Sequence, residues 1–305
     1  AEKGWMGELN ETATTASFQQ DESGFRRLEK DAFTFIPINE VKGNRTHRLY
    51  PLIPKPGSFE ILHSISAYYS EQADTYDHLD QGSEKRRAYT ESINGIIAKD
   101  FSEHGATRVL HIACGTGRRA TDIRERSGLA YRMEGIDISA GMVETAKGRG
   151  LDARIGHWNE VEIESGVYDA ITFLYAFGHI PSLEERKRSL RKVLGALRPG
   201  GRFYFDVFNV ENPNEWGPEA LHLFEELELA NEGYEKGDLF YKRHGGDTVA
   251  FLHYCSQSGI MDLVKSCGFD VHAVHRIGYV EHSGMELSQE EQSGNLLLVA
   301  EKPLN

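Results

Sequence analysis

The spacing of apolar residues changes period many times after residue 58, and each change predicts an element. Ile93, Ile96, Ile97 and Phe101 recur at helical spacing behind Ser83, a suitable N-cap, so a helix is expected over Ser83–Phe101. Thr107–Ala113 is a short apolar run that reads as a buried strand, followed by a glycine-containing loop and a helix to about Ser127. Tyr131–Asp137 predicts a second strand. Ser139 caps a helix carrying Met142, Val143 and Ala146, which Gly148 and Gly150 stop. A short strand near Ala153–Gly156 precedes Tyr168–Tyr175, whose unbroken apolar character fits a central parallel strand. Ser182-Leu-Glu-Glu185 forms a capping box ahead of Leu190, Val193, Leu194 and Leu197, and Arg198-Pro-Gly-Gly201 launches a strand over Arg202–Phe208. Ile260, Leu263, Val264 and Cys267 mark a late helix, with strands around Phe269–Ile277 and Asn295–Glu301. Alternation at this rhythm predicts a doubly wound α/β fold with a mostly parallel sheet.

Three stretches stand outside that rhythm. Residues 1–57 show no sustained period and end in Pro51, Pro54, Pro56 and Gly57, which predicts an extension: a partly disordered linker, or an arm or lid docking through Phe33, Phe35 and Ile36. Residues 58–106 read as a helical cover in front of a core over 107–305. Residues 211–238 hold nine acids against Lys236, and a cap inserted at about 211–250 is expected there, on a solvated helix face or over the strand ends where α/β sheets bind ligands.

Charge and cysteine content narrow the class. The formal net charge is −13, so long-range attraction to phosphate is absent and a nucleic-acid partner is a poor default. Three scattered cysteines cannot build a disulfide framework and fit a reducing compartment. No apolar run reaches the roughly 18 residues of a membrane span, and the polar N-terminal residues lack a secretory core. A cytoplasmic protein with no membrane partner is expected.

Chemistry concentrates after the first strand of the core. Gly115-x-Gly117-x-x-Ala120 joins that strand to a helix, where tight turning and close ligand approach both call for glycine. The helix end offers free N–H groups and a positive dipole. Asp137 ends the next strand, and its carboxylate can accept from both hydroxyls of a ribose. The loop alone does not separate a nicotinamide cofactor from S-adenosylmethionine.

The remaining segments do. Ala113-Cys-Gly-Thr-Gly117, Gly135-Ile-Asp-Ile-Ser139 with Met142, Tyr168–Tyr175 followed by Phe177-Gly-His-Ile-Pro181, Leu197-Arg-Pro-Gly-Gly201, and Gly268-Phe269 with Asn295–Ala300 stand in one order. Together they resemble the class I S-adenosylmethionine-dependent methyltransferases over roughly residues 64–302. The Ala-Cys-Gly-Thr-Gly loop is closest in look to small-molecule, glycine N-methyltransferase-like members. Ala67-Tyr-Tyr69, Ala73 and Tyr76-Asp77 are similar to the family's N-terminal helical cover.

The resemblance implies a seven-stranded Rossmann-like sheet and S-adenosyl-L-methionine as cofactor. It implies that Ala113, Gly115 and Gly117 approach the cofactor, Asp137 holds its ribose, and Ile138, Met142 and Leu174 line its base. His157, Trp158 and Asn159 stand where the family usually has Gly-Asp near the adenine amine. Tyr68, Tyr69 and Tyr76 cover the methionine end and methyl path, and Arg86 or Arg87 meets the carboxylate. His111 replaces an acid that normally supports the loop.

Methyl transfer needs alignment more than acid–base power, so His179, Tyr175 and Tyr69 are the expected catalytic groups, with His253 and Tyr254 as further acceptor contacts. The acidic cap favours an amine or cationic small-molecule acceptor, methylated at nitrogen more than oxygen. The alternatives are a tRNA-modifying methyltransferase and a non-catalytic binder of the cofactor. No metal site is expected, because His272 and His275 fall on opposite strand faces. The basic run Arg186-Lys-Arg188 with Arg191 and Lys192 reads as a solvated helix face.

Overall fold

The computed structural model describes residues 18–20, 26–28, 34–35, 47–49, 52–70, 75–77, 83–243 and 249–304. Most of the expected extension over 1–57 lies outside the described residues. The chain forms two compact units. The larger, an α/β unit, comprises Ser70–Gly178, Leu183–Pro218 and Cys255–Asn305, and the smaller gathers Ala1–Tyr69, His179–Ser182 and Glu219–Tyr254.

The α/β unit opens with helix α1, Glu84–His104. The Ser83 hydroxyl accepts from the Arg86 N–H at its start, and Gly105 ends it at φ +68°. Then follow β1 (Arg108–Ile112), α2 (Arg118–Ser127), β2 (Arg132–Asp137), α3 (Ala140–Gly148) and β3 (Asp152–Ile155). The second half runs β4 (Tyr168–Phe173), α4 (Leu183–Ala196), β5 (Leu197–Val207), α5 (Gln257–Ser266), β6 (Asp270–Ile277), β7 (Glu286–Leu287) and β8 (Asn295–Glu301). They build one sheet in the order β7-β6-β8-β5-β4-β1-β2-β3. From β5 to β3 neighbours are parallel, whereas β8 runs antiparallel to both β5 and β6. The eighth strand is the two-residue edge β7; the other seven match the expected sheet.

Every residue of β4 is buried, as the unbroken apolar run requires of a strand covered on both faces. Ile93, Ile97 and Phe101 of α1 are fully buried against one face, in the same cluster as Val109, Ile123 and Val143. The Phe101 ring meets Tyr131 and Tyr204 edge-on at 5.6 and 5.2 Å.

One expectation about this unit holds only in part. The basic run of α4 is a solvated face only in part: Arg188 and Arg191 are exposed, but Arg186 is only 2% exposed, and Lys192 and Arg188 donate to the backbone carbonyls of Trp158 and Asn159. A polar stripe on a helix can satisfy loop carbonyls as well as water, and the sequence period does not distinguish the two.

In the smaller unit, Asp238–Arg243 pairs antiparallel with Val249–His253 on one side and His47–Leu49 on the other. The Ser64 hydroxyl, on the helix that begins at Ser58, donates to the Val249 carbonyl. The Tyr234 hydroxyl accepts from the Leu52 N–H at 2.8 Å and donates to its carbonyl at 2.7 Å. Residues that the sequence assigns to the extension, the helical cover and the cap thus form one body.

Candidate active site

The turn after β1 carries three residues in the left-handed region: Ala113 at φ +49°, Gly115 at +54° and Gly117 at +78°. The two glycines serve different ends. A Cβ on Gly115 would meet nothing within 4 Å, so its backbone presents an open face, whereas a Cβ on Gly117 would crowd the Ala146 Cα at 3.2 Å. Cys114 turns the other way. Its Sγ stands 2.9 Å from the place a Cβ of Gly135 would occupy, and burial raises its thiol pKa, so no nucleophile faces the loop.

Asp137 closes the turn from β2. One carboxylate oxygen accepts the Gly115 N–H at 2.8 Å and the other the Ser139 N–H at 2.9 Å. Burial raises its pKa, and those backbone donors oppose the rise. With the Ile138 N–H as a third backbone donor, the carboxylate keeps acceptor capacity for a further donor. Met142 is buried beside this strand end and Ile138 is half-buried. Asp77 ties residues 75–77 to the loop: it accepts the Thr116 hydroxyl and an Arg149 N–H, each at 2.7 Å. Tyr76 accordingly lies within electrostatic reach of Arg86, Arg119 and Asp137, with burial raising its pKa.

Arg86 and Arg87 separate on α1: Arg87 is exposed, whereas Arg86 turns inward and is held by the Tyr279 phenol, which raises its pKa against the opposing effect of burial. Tyr175 ends β4 at φ +58°, with its N–H donated to Asp206 at 2.6 Å. Strain of this kind in a non-glycine residue marks positions that the fold over-determines. The Arg119 guanidinium stacks on the Tyr175 ring at 4.9 Å, and its Nε donates to the Asn94 side chain at 3.1 Å. Its Nη1 and Nη2 are buried and meet no acceptor.

At the end of β3, Trp158 and Asn159 are 5% and 6% exposed, and Ser189 holds the Asn159 oxygen at 2.9 Å. Trp158 Nε1 and Asn159 Nδ2 are buried donors without acceptors, and burial lowers the His157 pKa. His111, inside β1, shares a hydrogen bond of 2.8 Å with the Thr172 hydroxyl through Nδ1, while Nε2 is buried without a partner. Burial holds its pKa down to about 3, so the residue standing at the usual acid's position is uncharged.

The smaller unit holds Tyr69 and His179. His179 Nδ1 lies 2.6 Å from the Phe251 carbonyl, which can only accept, so Nδ1 carries the proton. Nε2 then accepts the Tyr69 hydroxyl at 2.8 Å. Burial lowers the His179 pKa, and the bond to the carbonyl partly opposes this. Nearby in the same unit, Asp238 accepts from Lys55 at 2.5 Å and from His253 Nδ1 at 2.7 Å. Tyr68 is buried edge-on to Tyr241 at 6.0 Å.

Residues 109–201 match the methyltransferase domain family. A quinone-biosynthesis C-methyltransferase of Geobacter sulfurreducens is 32% identical over 150 residues, 45% of this chain and 55% of that protein. A dTDP-amino-sugar N,N-dimethyltransferase of Streptomyces fradiae is 26% identical over 44% of this chain and 52% of its own length. The chain thus spans about half the length of these two curated relatives. The solved 1,6-didemethyltoxoflavin N1-methyltransferase of Burkholderia thailandensis shares the fold at TM-score 0.54 and 14% identity, over 88% of this chain and 99% of that one. Residues 109–201 thus form a methyltransferase domain, and the chain shares the fold of S-adenosylmethionine-dependent enzymes.

The methyltransferase's own residues fit that cofactor. The open face at Gly115, the spare lone pairs of Asp137, the unpaired donors at Trp158 and Asn159 and the unpaired Arg119 fork match a ribose, a base edge and a carboxylate in turn. Of the sequence-derived cofactor set, Tyr76, Arg86, Ala113, Gly115, Gly117, Asp137, Ile138, Met142, His157, Trp158, Asn159 and Leu174 fall in the α/β unit, and so does Tyr175; Tyr68, Tyr69 and His179 fall in the smaller one.

Sequence reading missed Arg119, Asp206 and Tyr279. Arg119 did leave a signal, because a cation in the first turn of a helix opposes the macrodipole. Asp206 and Tyr279 left none, since each matters only through distant partners. Among the described residues no group of three or more His, Cys, Asp or Glu side chains could hold a metal ion, and no helix is long and apolar enough to cross a membrane.

The acidity of 211–238 is only partly open: Glu211, Glu226 and Glu228 are exposed, and other acids of the stretch are buried or paired. Asp238 is compensated by Lys55 and His253, Glu215 and Glu219 are buried, and Glu225 pairs with Lys236.

Proposed function

We propose that this methyltransferase transfers a methyl group from S-adenosylmethionine to a small-molecule acceptor, at nitrogen in preference to oxygen, in the reducing environment of the cytoplasm. The glycine loop with Asp137 carries this reading: an open backbone face at Gly115 stands beside a carboxylate that can accept from a ribose. Bound at the glycine loop, the cofactor supplies a carbon already activated by the sulfonium charge. The chain's work is to align, exclude water and receive a proton. Tyr69 and His179 are assigned as the proton relay: the phenol can pass its proton to His179 Nε2, and the Phe251 carbonyl stabilises the resulting imidazolium. Tyr175 orients, through its fixed amide and the Arg119 that rests on its ring.

Nitrogen acceptors have support in the N-methyltransferases of Streptomyces fradiae and Burkholderia thailandensis, one acting on an amino sugar and one on a toxoflavin precursor. The demethylmenaquinone methyltransferase of Lactococcus lactis, 22% identical over 49% of this chain, favours a second reading in which a ring carbon is methylated. Because Asp238 and Glu225 are paired and Glu215 and Glu219 buried, the acidic stretch is weaker support for a cationic acceptor than its composition implies, and neutral amines belong in the same test.

Incubation with methyl-labelled S-adenosylmethionine and a panel of amines, phenols and quinols tests the reading. Label on an amine, with kcat about 10²–10³ lower in His179→Gln, is the expected result. Label on tRNA alone moves the acceptor class. Binding of NAD but of no adenosyl ligand overturns the proposal.

A further inference from the structure

Arg119 is half-buried, and its two outer guanidinium nitrogens, Nη1 and Nη2, are removed from water without an acceptor. It stands in the first turn of α2, whose Gly117 N-cap makes no side-chain hydrogen bond, so the helix end is also electropositive and uncapped. Nε is spent on Asn94 and the guanidinium plane on Tyr175. A buried donor without an acceptor is costly, more so when charged, so a fork left open this way calls for an acceptor.

Asp206 attracts Arg119 electrostatically but accepts no hydrogen bond from it; its two oxygens accept the Tyr175 N–H and the Tyr89 hydroxyl, at 2.6 and 3.1 Å. Arg86, the other inward cation, is already held by Tyr279. A planar fork with two free nitrogens matches a carboxylate bidentately.

We propose that Arg119 is the carboxylate anchor of this methyltransferase, binding either the amino-acid carboxylate of the cofactor or that of an acidic acceptor. The proposal rests on the methyltransferase reading and adds the residue that recognises the anion.

Calorimetry separates the two sources. S-adenosylhomocysteine carries the carboxylate, and 5′-deoxy-5′-methylthioadenosine lacks the whole amino-acid end. If the anchor serves the cofactor, Arg119→Met weakens S-adenosylhomocysteine about 10–100-fold and leaves methylthioadenosine unchanged. If it serves the acceptor, both nucleosides bind the variant as they bind wild type, and benzoate binds the S-adenosylhomocysteine-loaded wild type but not loaded Arg119→Met. Identical titrations of wild type and variant with all three ligands overturn the proposal. Arg119→Lys keeps the charge without the planar fork, so an intermediate loss is expected, and it carries the test if the Met variant does not fold. A wild type that binds no adenosyl ligand defeats the methyltransferase reading itself. In that case benzoate binding to unloaded wild type and Arg119→Met decides the anchor separately.

Discussion

Two buried clusters, one in each unit, treat charge in opposite ways. In the smaller unit Lys55, Asp238 and His253 close on one another, and the Lys55 ammonium also donates to the Pro181 carbonyl at 2.9 Å and sits 5.1 Å over the Phe251 ring. In the α/β unit Arg119 is fixed at Nε and on one face, and its two outer nitrogens meet nothing. The closed cluster stabilises the fold that contains it. The open one is a cost that only a ligand removes, and that difference separates a structural ion pair from a binding group when both are buried.

Substitutions can break or sharpen this contrast. The largest effect is expected for Asp238→Ala, which strands Lys55 and His253. Its loss of stability should be about 3–5 kcal/mol by chemical denaturation. The pH dependence has a definite sign. Burial alone would raise the Asp238 pKa, but the hydrogen bond from His253 and the Lys55 charge hold it below the ordinary value. Its stabilisation is therefore full above the usual carboxylate pKa of about 3.9 and fades as pH falls through the lower folded value. An Asp238→Asn protein should lack that acid limb.

His111 lies between the two extremes, partnered on one nitrogen and not on the other. With its pKa near 3 in the fold, it stays neutral while the unfolded chain binds a proton below about 6.5. Acidification from about 6.5 toward 3 should therefore cost up to about 4 kcal/mol at this residue. His111→Gln should flatten that part of a stability-versus-pH curve. An unchanged curve would show the imidazole to be better solvated than its surroundings imply.

Gly115→Ala isolates backbone strain, because the Cβ has open space but φ is +54°. A loss of about 1–2 kcal/mol is expected in denaturation. Arg119→Met should move stability less than Asp238→Ala does, since it breaks no ion pair in contact and costs only the Asn94 hydrogen bond and the longer-range attraction to Asp206. A loss as large as that of Asp238→Ala would place Arg119 with the structural pairs.

Much of the fold was legible because its signals are local. Ser83 and Ser139 do accept from the N–H groups three residues on, the run from Tyr168 is a fully buried strand, and Gly115 and Gly117 need their positive φ. The loop and Asp137 were legible for the same reason, since strand, turn and helix lie within one short stretch. The smaller unit was not, because His47–Leu49 joins a sheet with residues almost 200 positions later, and no period records such a pairing. Nor was the solvation of charge. Arg186 and Arg191 look alike along α4, yet Arg186 is buried and Arg191 is exposed.

The sequence by itself determined the order of strands and helices, the turn that approaches a cofactor and the carboxylate that ends β2. These depend on capping, periodicity and left-handed backbone, all set by residues a few positions apart. Only the tertiary structure decided which charges are spent and which are open. Lys55 finds Asp238 across 183 residues, Arg86 is held by Tyr279, and Arg119 keeps two nitrogens for a ligand. Pairing of buried charge is a long-range outcome of packing, because the cost of desolvation is felt only once the surrounding elements have closed.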